Sequence, residues 1–455
     1  MSAPLRQRRP VPVPAPGATY RTLLRLAGPV LLGSLTQSAL YLTDSLFVGQ
    51  LGEAPLAAVG LGGLVFYLLS TVGAGLGQAL QTLVARRLVQ GRPGAARRLF
   101  TATGYLAGGG GLALAGALWL GAPWLSATLV PEPAVAAQLT QYLRVAALAL
   151  PASFAWLALV GLYTGLGETR LLPWSAFALT VANVLGSHAW VSGGLGAPAL
   201  GIAGAGWATL LSECTGTAVL LAGLLWPTRP ALAGWLRKWA WHPRAVRRLG
   251  QFAVPLVARQ VVEVSGWLLF FVLVGRLGTR ALAVSNIVRS LYTFASLPAL
   301  ALAAALQTLV SRYAGQGRWT EVLPTVGRAT ALAVGLGLAP AGVLLLAPRL
   351  LVGCFSAEPT LVAAGAPVLQ LLAGLLLTFS ASTLLAHAVV GVGGAGRSLS
   401  MELLATTTYL LAAWACVVLQ WSLAGVWATE LLYWALLAAL GWHYLQRGPW
   451  RHAPG

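Results

Sequence analysis

The sequence predicts an all-α integral membrane protein with twelve transmembrane helices in two homologous six-helix bundles. Three observations predict this class: the composition, a series of long apolar runs, and an internal repeat. Of the 455 residues, 58% are hydrophobic and only 9% are charged, whereas soluble domains carry about 25% charged residues. A chain of this composition is typical of a bilayer-embedded protein.

Twelve apolar runs are long enough to cross a bilayer, which takes about 20 helical residues. Six runs precede a Trp- and Arg-rich linker and six follow it. We expect the crossings at about 22–48, 56–86, 99–122, 136–160, 171–192, 200–226, 249–274, 281–311, 325–350, 361–390, 399–420 and 423–445. The start of the chain is Pro-rich and basic, which predicts a disordered tail and not a cleavable signal peptide.

The predicted organisation has five parts, which the apolar runs and the linker delimit. They are a basic cytoplasmic tail (1–19), an N-terminal six-helix lobe (20–226), a cytoplasmic linker (227–248), a C-terminal six-helix lobe (249–446) and a second cytoplasmic tail (447–455).

The formal net charge of +19 would suggest a nucleic-acid partner in a soluble protein. Here the arginines lie mostly in the tails and in alternate loops, which is the topology signal of membrane proteins. We therefore expect no nucleic-acid partner. We expect a basic cytoplasmic face against anionic lipid headgroups, both termini in the cytoplasm, and a multi-pass protein of the bacterial inner membrane.

The two halves of the chain repeat each other. A shift of 226 residues places Pro29 on Pro255 and GQLG (49–52) on GRLG (275–278), and it aligns ALQTLVARRLVQGR (79–92) with ALQTLVSRYAGQGR (305–318). Because six helices is an even number, the two halves share their orientation and an axis along the membrane normal relates them. Parallel repeats of this kind usually place the substrate path between the bundles and work by alternating access.

Asp44, the only aspartate in the chain, lies in the first apolar run. A carboxylate at such a position is costly unless it is hydrated, paired or protonated, so it marks a functional site by default. The alternative is a helix-end carboxylate in headgroup water. Gln37 and Tyr41 share its helical face and are candidates to line the same pocket, although helix packing explains Tyr41 equally well.

The order and spacing of several motifs resemble the MATE multidrug and toxic compound extrusion family over about 20–447. The resemblance implies a two-lobed exporter that expels organic, often cationic compounds in exchange for H⁺ or Na⁺, without a cofactor. Within that family the DinF-type branch matches better than the NorM-type branch. The motifs are Pro29, Gln37, DSLFVGQLG from Asp44, AAV (57–59), GQA (77–79), GLGETR (165–170) and LGIAGAGWAT (200–209).

The resemblance also assigns residues. Asp44 resembles the cation-coupling carboxylate of the first helix, Glu263 the acidic position of the seventh, and Asn183 the asparagine of the fifth. The chain departs from the family where acids are common, with Ser187 and His188 after the asparagine and no acid in the tenth helix. These departures favour H⁺ over Na⁺ as the coupling ion, although Na⁺ at Asp44 stays open.

Glu263 has two possible roles. It is either a second coupling carboxylate, or it pairs with Arg289, which lies at similar depth on the next predicted helix, since intramembrane charges commonly pair. We expect Arg144 and Arg259 to reach the membrane interface. Further candidates for the cavity wall are Asn183, Trp267, Asn286, Arg289 and His387.

Nothing in the sequence supports an enzyme, because it holds no P-loop, no metal-ligand spacing and no loop long enough for a catalytic site. Transport would then depend on an ion gradient, with small organic substrates and a monomeric protein. The alternative function is a flippase of lipid-linked or polysaccharide precursors from the same broader superfamily. In that case Arg144, Arg259 and Arg289 would bind a pyrophosphate.

Overall fold

The computed structural model consists of helices joined by short turns, and it contains no strand among the residues it describes. The described backbone covers 19–49, 51–226, 234–235, 239–355 and 358–452. The side chains at 37–46, 49, 53–54 and 451–452 lie outside that description.

The α-helices are numbered in chain order. They are α1 (Tyr20–Gly49), α2 (Glu53–Val89), α3 (Pro93–Leu129), α4 (Pro133–Ala147), α5 (Leu150–Leu166), α6 (Leu172–Trp190), α7 (Ile202–Leu225), α8 (Pro243–Gly275), α9 (Thr279–Gly315), α10 (Val322–Leu346), α11 (Pro348–Gly353), α12 (Pro359–Gly391), α13 (Ala395–Val418) and α14 (Leu423–Arg447).

Each crossing predicted from the sequence has its helix. Among the described residues, nine helices are each apolar and long enough to span a bilayer, and α4 with α5 forms a tenth span as a bent pair. Helices α1 and α6, of 30 and 19 residues, account for the other two crossings. The N-terminal lobe comprises α1–α7 and the C-terminal lobe α8–α14, while α11 is a short helix of six residues.

The fourth crossing is bent, which the sequence analysis did not predict. Helices α4 and α5 meet at 50° across a short break. Pro151 lies in the first turn of α5, and a proline there removes a backbone donor and clashes with the preceding turn, which breaks a helix. The repeat places Leu377 at the equivalent position, and α12 runs unbroken through it.

The linker packs against the N-terminal lobe where it is described. The ring of Trp239 lies 5.7 Å from that of Phe100, and Trp241 lies 5.1 Å from Tyr105 of α3. Helix α8 begins at Pro243, inside the predicted linker 227–248, because proline suits the first turn of a helix. Much of the remaining linker and most of both predicted tails lie outside the described residues.

The lobes meet through symmetric helix pairs. Helix α1 packs on α9 and α2 packs on α8, and these two contacts are equivalent under the repeat. Leu23 and Ala27 of α1 are buried among apolar residues of α9, α10 and α12. The N-terminal half of the first helix therefore belongs structurally to both lobes.

Glycines allow close packing of α2 on α5 in the N-terminal lobe. A Cβ atom at Gly161 would collide with the carbonyl group of Gly77. In lipid, which is as apolar as the side chains, no hydrophobic driving force brings helices together. Transmembrane helices therefore depend on the close van der Waals packing that small residues allow.

Candidate functional site

A cavity of about 220 Å³ lies between the lobes. The N-terminal lobe contributes Tyr67, Thr71 and Gln78 of α2 to its wall. The C-terminal lobe contributes the rest from α8, α9 and α12–α14: Arg259, Gln260, Glu263, Val264, Leu300, Phe379, Ser382, Thr383, Ala386, His387, Glu402, Tyr433, Trp434 and Leu437. The wall thus combines two carboxylates and one guanidinium with aromatic rings.

The charged groups of the wall form one ion-pair network. Nη1 of Arg259 lies 3.2 Å from Oε2 of Glu263 and 3.4 Å from Oε2 of Glu402. The second oxygen of Glu402 accepts hydrogen bonds from the hydroxyls of Thr406, at 3.2 Å, and Tyr433. We call Glu263, Arg259 and Glu402 the charged triad. Its side chains are 35%, 12% and 2% exposed, respectively.

The triad corrects two expectations. Arg259 does not reach the interface, because it lies one helical turn before Glu263 on the same face of α8, between two acids. Glu263 does pair with an arginine, but with Arg259 and not with Arg289. The guanidinium of Arg289 lies 5.1 Å from the ring centre of Phe271. Glu263 and Arg289 were expected to pair because they lie at similar depth in the membrane, but depth does not determine which faces of α8 and α9 meet.

Three acids were missed by the sequence analysis. Glu402 in α13, Glu430 in α14 and Glu213 in α7 are all buried in the described structure. The signal was available, since each is a single acid inside an apolar run, and intramembrane acids are functional candidates by default. Of the three, Glu402 is the one that lines the cavity.

The predicted wall residues divide into two groups. His387 lines the cavity, and its Nδ1 lies 2.8 Å from Oε1 of Gln307. Trp267 packs instead in an aromatic cluster of the C-terminal lobe, with its ring 6.2 Å from that of Trp427. Asn286 is exposed on α9 and donates to the carbonyl of Leu282. Neither Trp267, Asn286 nor Arg289 is among the residues of the wall.

Asn183 is buried in α6, a helix that packs along both α1 and α7 in the N-terminal lobe. Thr180 donates to the carbonyl of Thr36 at 3.2 Å, and the rings of Phe47 and His188 lie 6.2 Å apart. Asn183 lies between these two contacts along α6. Both polar atoms of its amide are buried without a hydrogen-bond partner among the described residues.

The coupling candidates of α1 fall within that same segment. Gln37, Tyr41 and Asp44 are helical in their backbone, but their side chains lie outside the described part of the chain. The contacts on either side of Asn183 involve positions 36 and 47 of α1, which lie before and after these three residues.

A reciprocal pair of arginine contacts joins the lobes at one end. Nη2 of Arg86 donates to the carbonyl of Gly391 at 3.3 Å, and Nη2 of Arg312 donates to that of Gly165 at 3.3 Å. The repeat relates the two arginines to each other, and likewise the two glycines. We call these four residues the interlobe clasp, and the end of the molecule where they lie the basic end.

The turns that follow these glycines are adapted to the arginines. Gly167 and Gly393 have backbone φ angles of +74° and +105°, which residues other than glycine rarely adopt. A Cβ atom on Gly167 would also collide with the guanidinium of Arg312. The small-residue turn that the sequence analysis singled out therefore gives an arginine of the opposite lobe access to the backbone.

A layer of amides and hydroxyls separates the clasp from the cavity. Nε2 of Gln81 donates to Thr308 at 2.9 Å, and Nε2 of Gln307 donates to Thr82 at 2.8 Å, again as equivalents under the repeat. Ser311 adds a hydrogen bond to the carbonyl of Thr82 at 2.6 Å. Along α2, the cavity, this layer and the clasp follow one another towards the basic end.

The MatE family model matches the chain twice, at residues 29–187 and 255–414. The second match begins 226 residues after the first, which is the offset of the internal repeat. The chain belongs to the MatE family. The prediction of a membrane transporter rather than an enzyme is thereby confirmed.

Curated relatives agree with the family match. The chain is 31% identical over 425 residues to a probable multidrug resistance protein NorM of Deinococcus radiodurans, covering 84% of this chain and 89% of that protein. It is 31% identical over 349 residues to the same-named protein of Pseudomonas putida, covering 75% and 74%. These relatives carry the NorM name, and the predicted preference for the DinF-type branch stays a prediction.

Solved structures confirm the fold class. A crystal structure of a MATE transporter in complex with MaL6 aligns with a TM-score of 0.86 at 19% identity, covering 94% of this chain and 95% of the other. A mutant of the Vibrio cholerae MATE transporter VcmN aligns with a TM-score of 0.85 at 20% identity, covering 94% and 96%. The all-α architecture of twelve transmembrane helices in two bundles is therefore established.

Proposed function

We propose that this protein is a secondary active multidrug exporter that exchanges organic, often cationic compounds for a cation by alternating access. The observation that carries the proposal is a cavity between two pseudosymmetric lobes, with a layer of interlobe hydrogen bonds below it. Its wall of carboxylates and aromatic rings suits flat organic cations, since aromatic faces attract cations. The names of the curated relatives also indicate multidrug resistance.

The coupling site in this proposal is Asp44 with Asn183. Asn183 supplies a buried amide without a partner among the described residues, and α6 lies against α1 on either side of it. A buried polar group without a hydrogen bond is costly, so its retention favours a role in binding. In partly desolvated surroundings, a carboxyl group holds a proton more readily than in water.

The proposed coupling ion is H⁺. Ser187 and His188 follow Asn183 where an additional carboxylate would complete an oxygen-rich site, and Leu375–Thr383 in α12 contain no acid. A single carboxyl group can carry one proton between the two sides of the membrane. A sodium site prefers several oxygen ligands, and Na⁺ coupling is the alternative that the experiment below separates.

The proposed setting is the bacterial inner membrane, with both termini and the basic end in the cytoplasm. The arginines of the loops near the clasp support this orientation through the positive-inside rule. The substrate would then enter the cavity when the clasp opens. It would leave towards the outside when the clasp is closed, as it is here.

The flippase alternative has no specific support from the described contacts. Arg259 is neutralised by two glutamates, while Arg144 and Arg289 pack over the rings of Trp119 and Phe271. A pyrophosphate would require arginines without acidic partners in the cavity wall. We therefore propose export of organic cations.

Proteoliposomes with imposed gradients test this function. Purified protein is reconstituted, and ethidium movement is followed under a pH gradient alone, a Na⁺ gradient alone, or neither. We expect ethidium to move against its gradient when the pH gradient is imposed, and not when only the Na⁺ gradient is. Movement of ethidium against its gradient with the Na⁺ gradient alone would contradict proton coupling. Movement of ethidium against its gradient with neither ion gradient imposed would contradict secondary active transport.

A further inference from the structure

The charged triad places a single nitrogen atom between carboxylates of two different helices. Nη1 of Arg259 lies within 3.4 Å of one oxygen of Glu263 on α8 and one oxygen of Glu402 on α13. Glu402 is held in place from its other side by Tyr433 and Thr406. The two acids therefore converge on one point, and a positive charge occupies that point.

This convergence favours the binding of a cation. Two carboxylates close together in a membrane interior repel each other, and an uncompensated buried charge is strongly destabilising. Carboxylate and hydroxyl oxygens are also the ligands that hard cations prefer. Without the guanidinium, the same oxygens would therefore attract a free cation from the cavity.

The guanidinium is positioned by charge and not by a complete set of hydrogen bonds. Nε of Arg259 is buried without a hydrogen-bond partner among the described residues. A buried donor without a partner is costly, so the attraction of the two carboxylates outweighs that cost. The remaining titratable base of the wall, His387, is bonded to Gln307 and not to the triad.

We propose that Glu263 and Glu402 form a monovalent-cation site in the C-terminal lobe, and that the side chain of Arg259 occupies it as a tethered cation. In the wild-type protein this site needs no Na⁺, because Arg259 supplies the charge. Once Arg259 is neutralised, the site binds Na⁺ from solution. The inference concerns ion binding in the purified protein and holds independently of any transported substrate.

The test measures the melting temperature of the full-length protein in detergent. The Asp44→Asn protein serves as the wild-type background, so that a response at Asp44 is removed. This background is compared with the same protein carrying Arg259→Gln or Arg259→Gln/Glu402→Gln, in NaCl and in choline chloride at equal ionic strength. Arg289→Gln in the same background is the matched control, since Arg289 contacts the ring of Phe271 and not the triad.

The expected result is a sodium response confined to one variant. At about 100 mM salt, Na⁺ should raise the Tm of Arg259→Gln by about 3 °C or more over choline, because a ligand that binds only the folded state stabilises it. The wild-type background, the Arg289→Gln control and the double variant should show no such rise, the last because one of the two acids is lost.

Three outcomes would overturn the proposal. The first is an Arg259→Gln protein whose Tm responds to Na⁺ no more than that of the wild-type background. The second is a sodium response that survives Glu402→Gln. The third is an Arg259→Gln protein that fails to fold in NaCl as well as in choline chloride, since Na⁺ should substitute for the missing charge.

Discussion

Arg86 and Arg312 hold equivalent positions in the two halves of the chain, and each donates a hydrogen bond of 3.3 Å to a glycine carbonyl of the opposite lobe. Hydrogen bonds from charged donors are among the stronger ones in proteins. Because both cross the same interface in opposite directions, any movement that parts the lobes at the basic end breaks both. The clasp therefore favours the state in which that end is closed.

Loss of either arginine should open the basic end more often. In a variant with Cys214, Cys354 and Cys416 replaced by serine, Ser311→Cys provides a buried thiol in the polar layer. A charged hydrogen bond contributes about 1.5–3 kcal/mol, so Arg86→Ala should raise the labelling rate by a maleimide about tenfold to a hundredfold. Arg87→Ala is the control, because Arg87 bonds to Gln90 of its own lobe. Equal rates in the two variants would contradict the clasp.

Gln307 should be a stability hot spot of the polar layer. It is fully buried, donates to Thr82, and accepts from Gln78 and His387. Gln307→Ala removes all three hydrogen bonds, so we expect the free energy of unfolding to fall by about 1–3 kcal/mol. Thermal unfolding in detergent measures this.

The control for that experiment is Gln370→Ala, at an exposed position of α12, which should leave the Tm nearly unchanged. A Gln307→Ala protein as stable as this control would show that the layer is hydrated or rearranges freely.

The contact of α2 with α5 should not tolerate a methyl group. Gly161→Ala places a Cβ atom against the carbonyl group of Gly77, and such overpacking costs typically 1–3 kcal/mol. Gly108→Ala in α3 is the matched control, because a Cβ atom there meets no atom within 4 Å. We expect the control to be neutral or slightly stabilising, since alanine favours helix. A Tm of Gly161→Ala equal to that of the control would refute the close approach.

The triad predicts an energetic coupling that the other possible pairing lacks. Arg259→Gln and Glu402→Gln should together destabilise the protein by less than the sum of the single changes, with a coupling of about 1–3 kcal/mol. Glu263→Gln and Arg289→Gln should be close to additive, because their charged groups do not pair. Unfolding of each single and double variant measures both cycles. Additivity of Arg259→Gln with Glu402→Gln, together with coupling between Glu263→Gln and Arg289→Gln, would support the Glu263–Arg289 pair instead.

Much of the fold could be predicted because its signals are long and periodic in the sequence. The apolar runs predicted all twelve crossings, and the alignment of 79–92 with 305–318 marked the segment that contains Gln81, Arg86 and their equivalents. The bend before Pro151 was missed. A proline in an apolar run shows where a helix can break, but tertiary packing decides whether it does. Helix α12, for example, continues unbroken through Pro367, whereas the helix breaks before Pro151.

The candidate site was predicted only in part, because hydropathy gives the depth of a residue but not the direction in which it points. His387 was expected in the cavity wall and lines it. Glu263 lines it too, although it was expected only as a coupling carboxylate or as the partner of Arg289. Arg259 was expected at the interface because a long basic side chain often reaches it, and its acidic partner Glu402 on a distant helix is not apparent from local sequence. The same ambiguity placed Arg289 opposite Glu263.

The coupling role of Asp44 is the central claim, and efflux from cells or inverted vesicles tests it most directly. Wild type and Asp44→Asn are compared for export of ethidium, with and without collapse of the proton gradient, at matched expression and Tm. We predict that Asp44→Asn abolishes export, and that collapse of the gradient abolishes it in the wild type. Normal ethidium export by the Asp44→Asn protein would contradict the account.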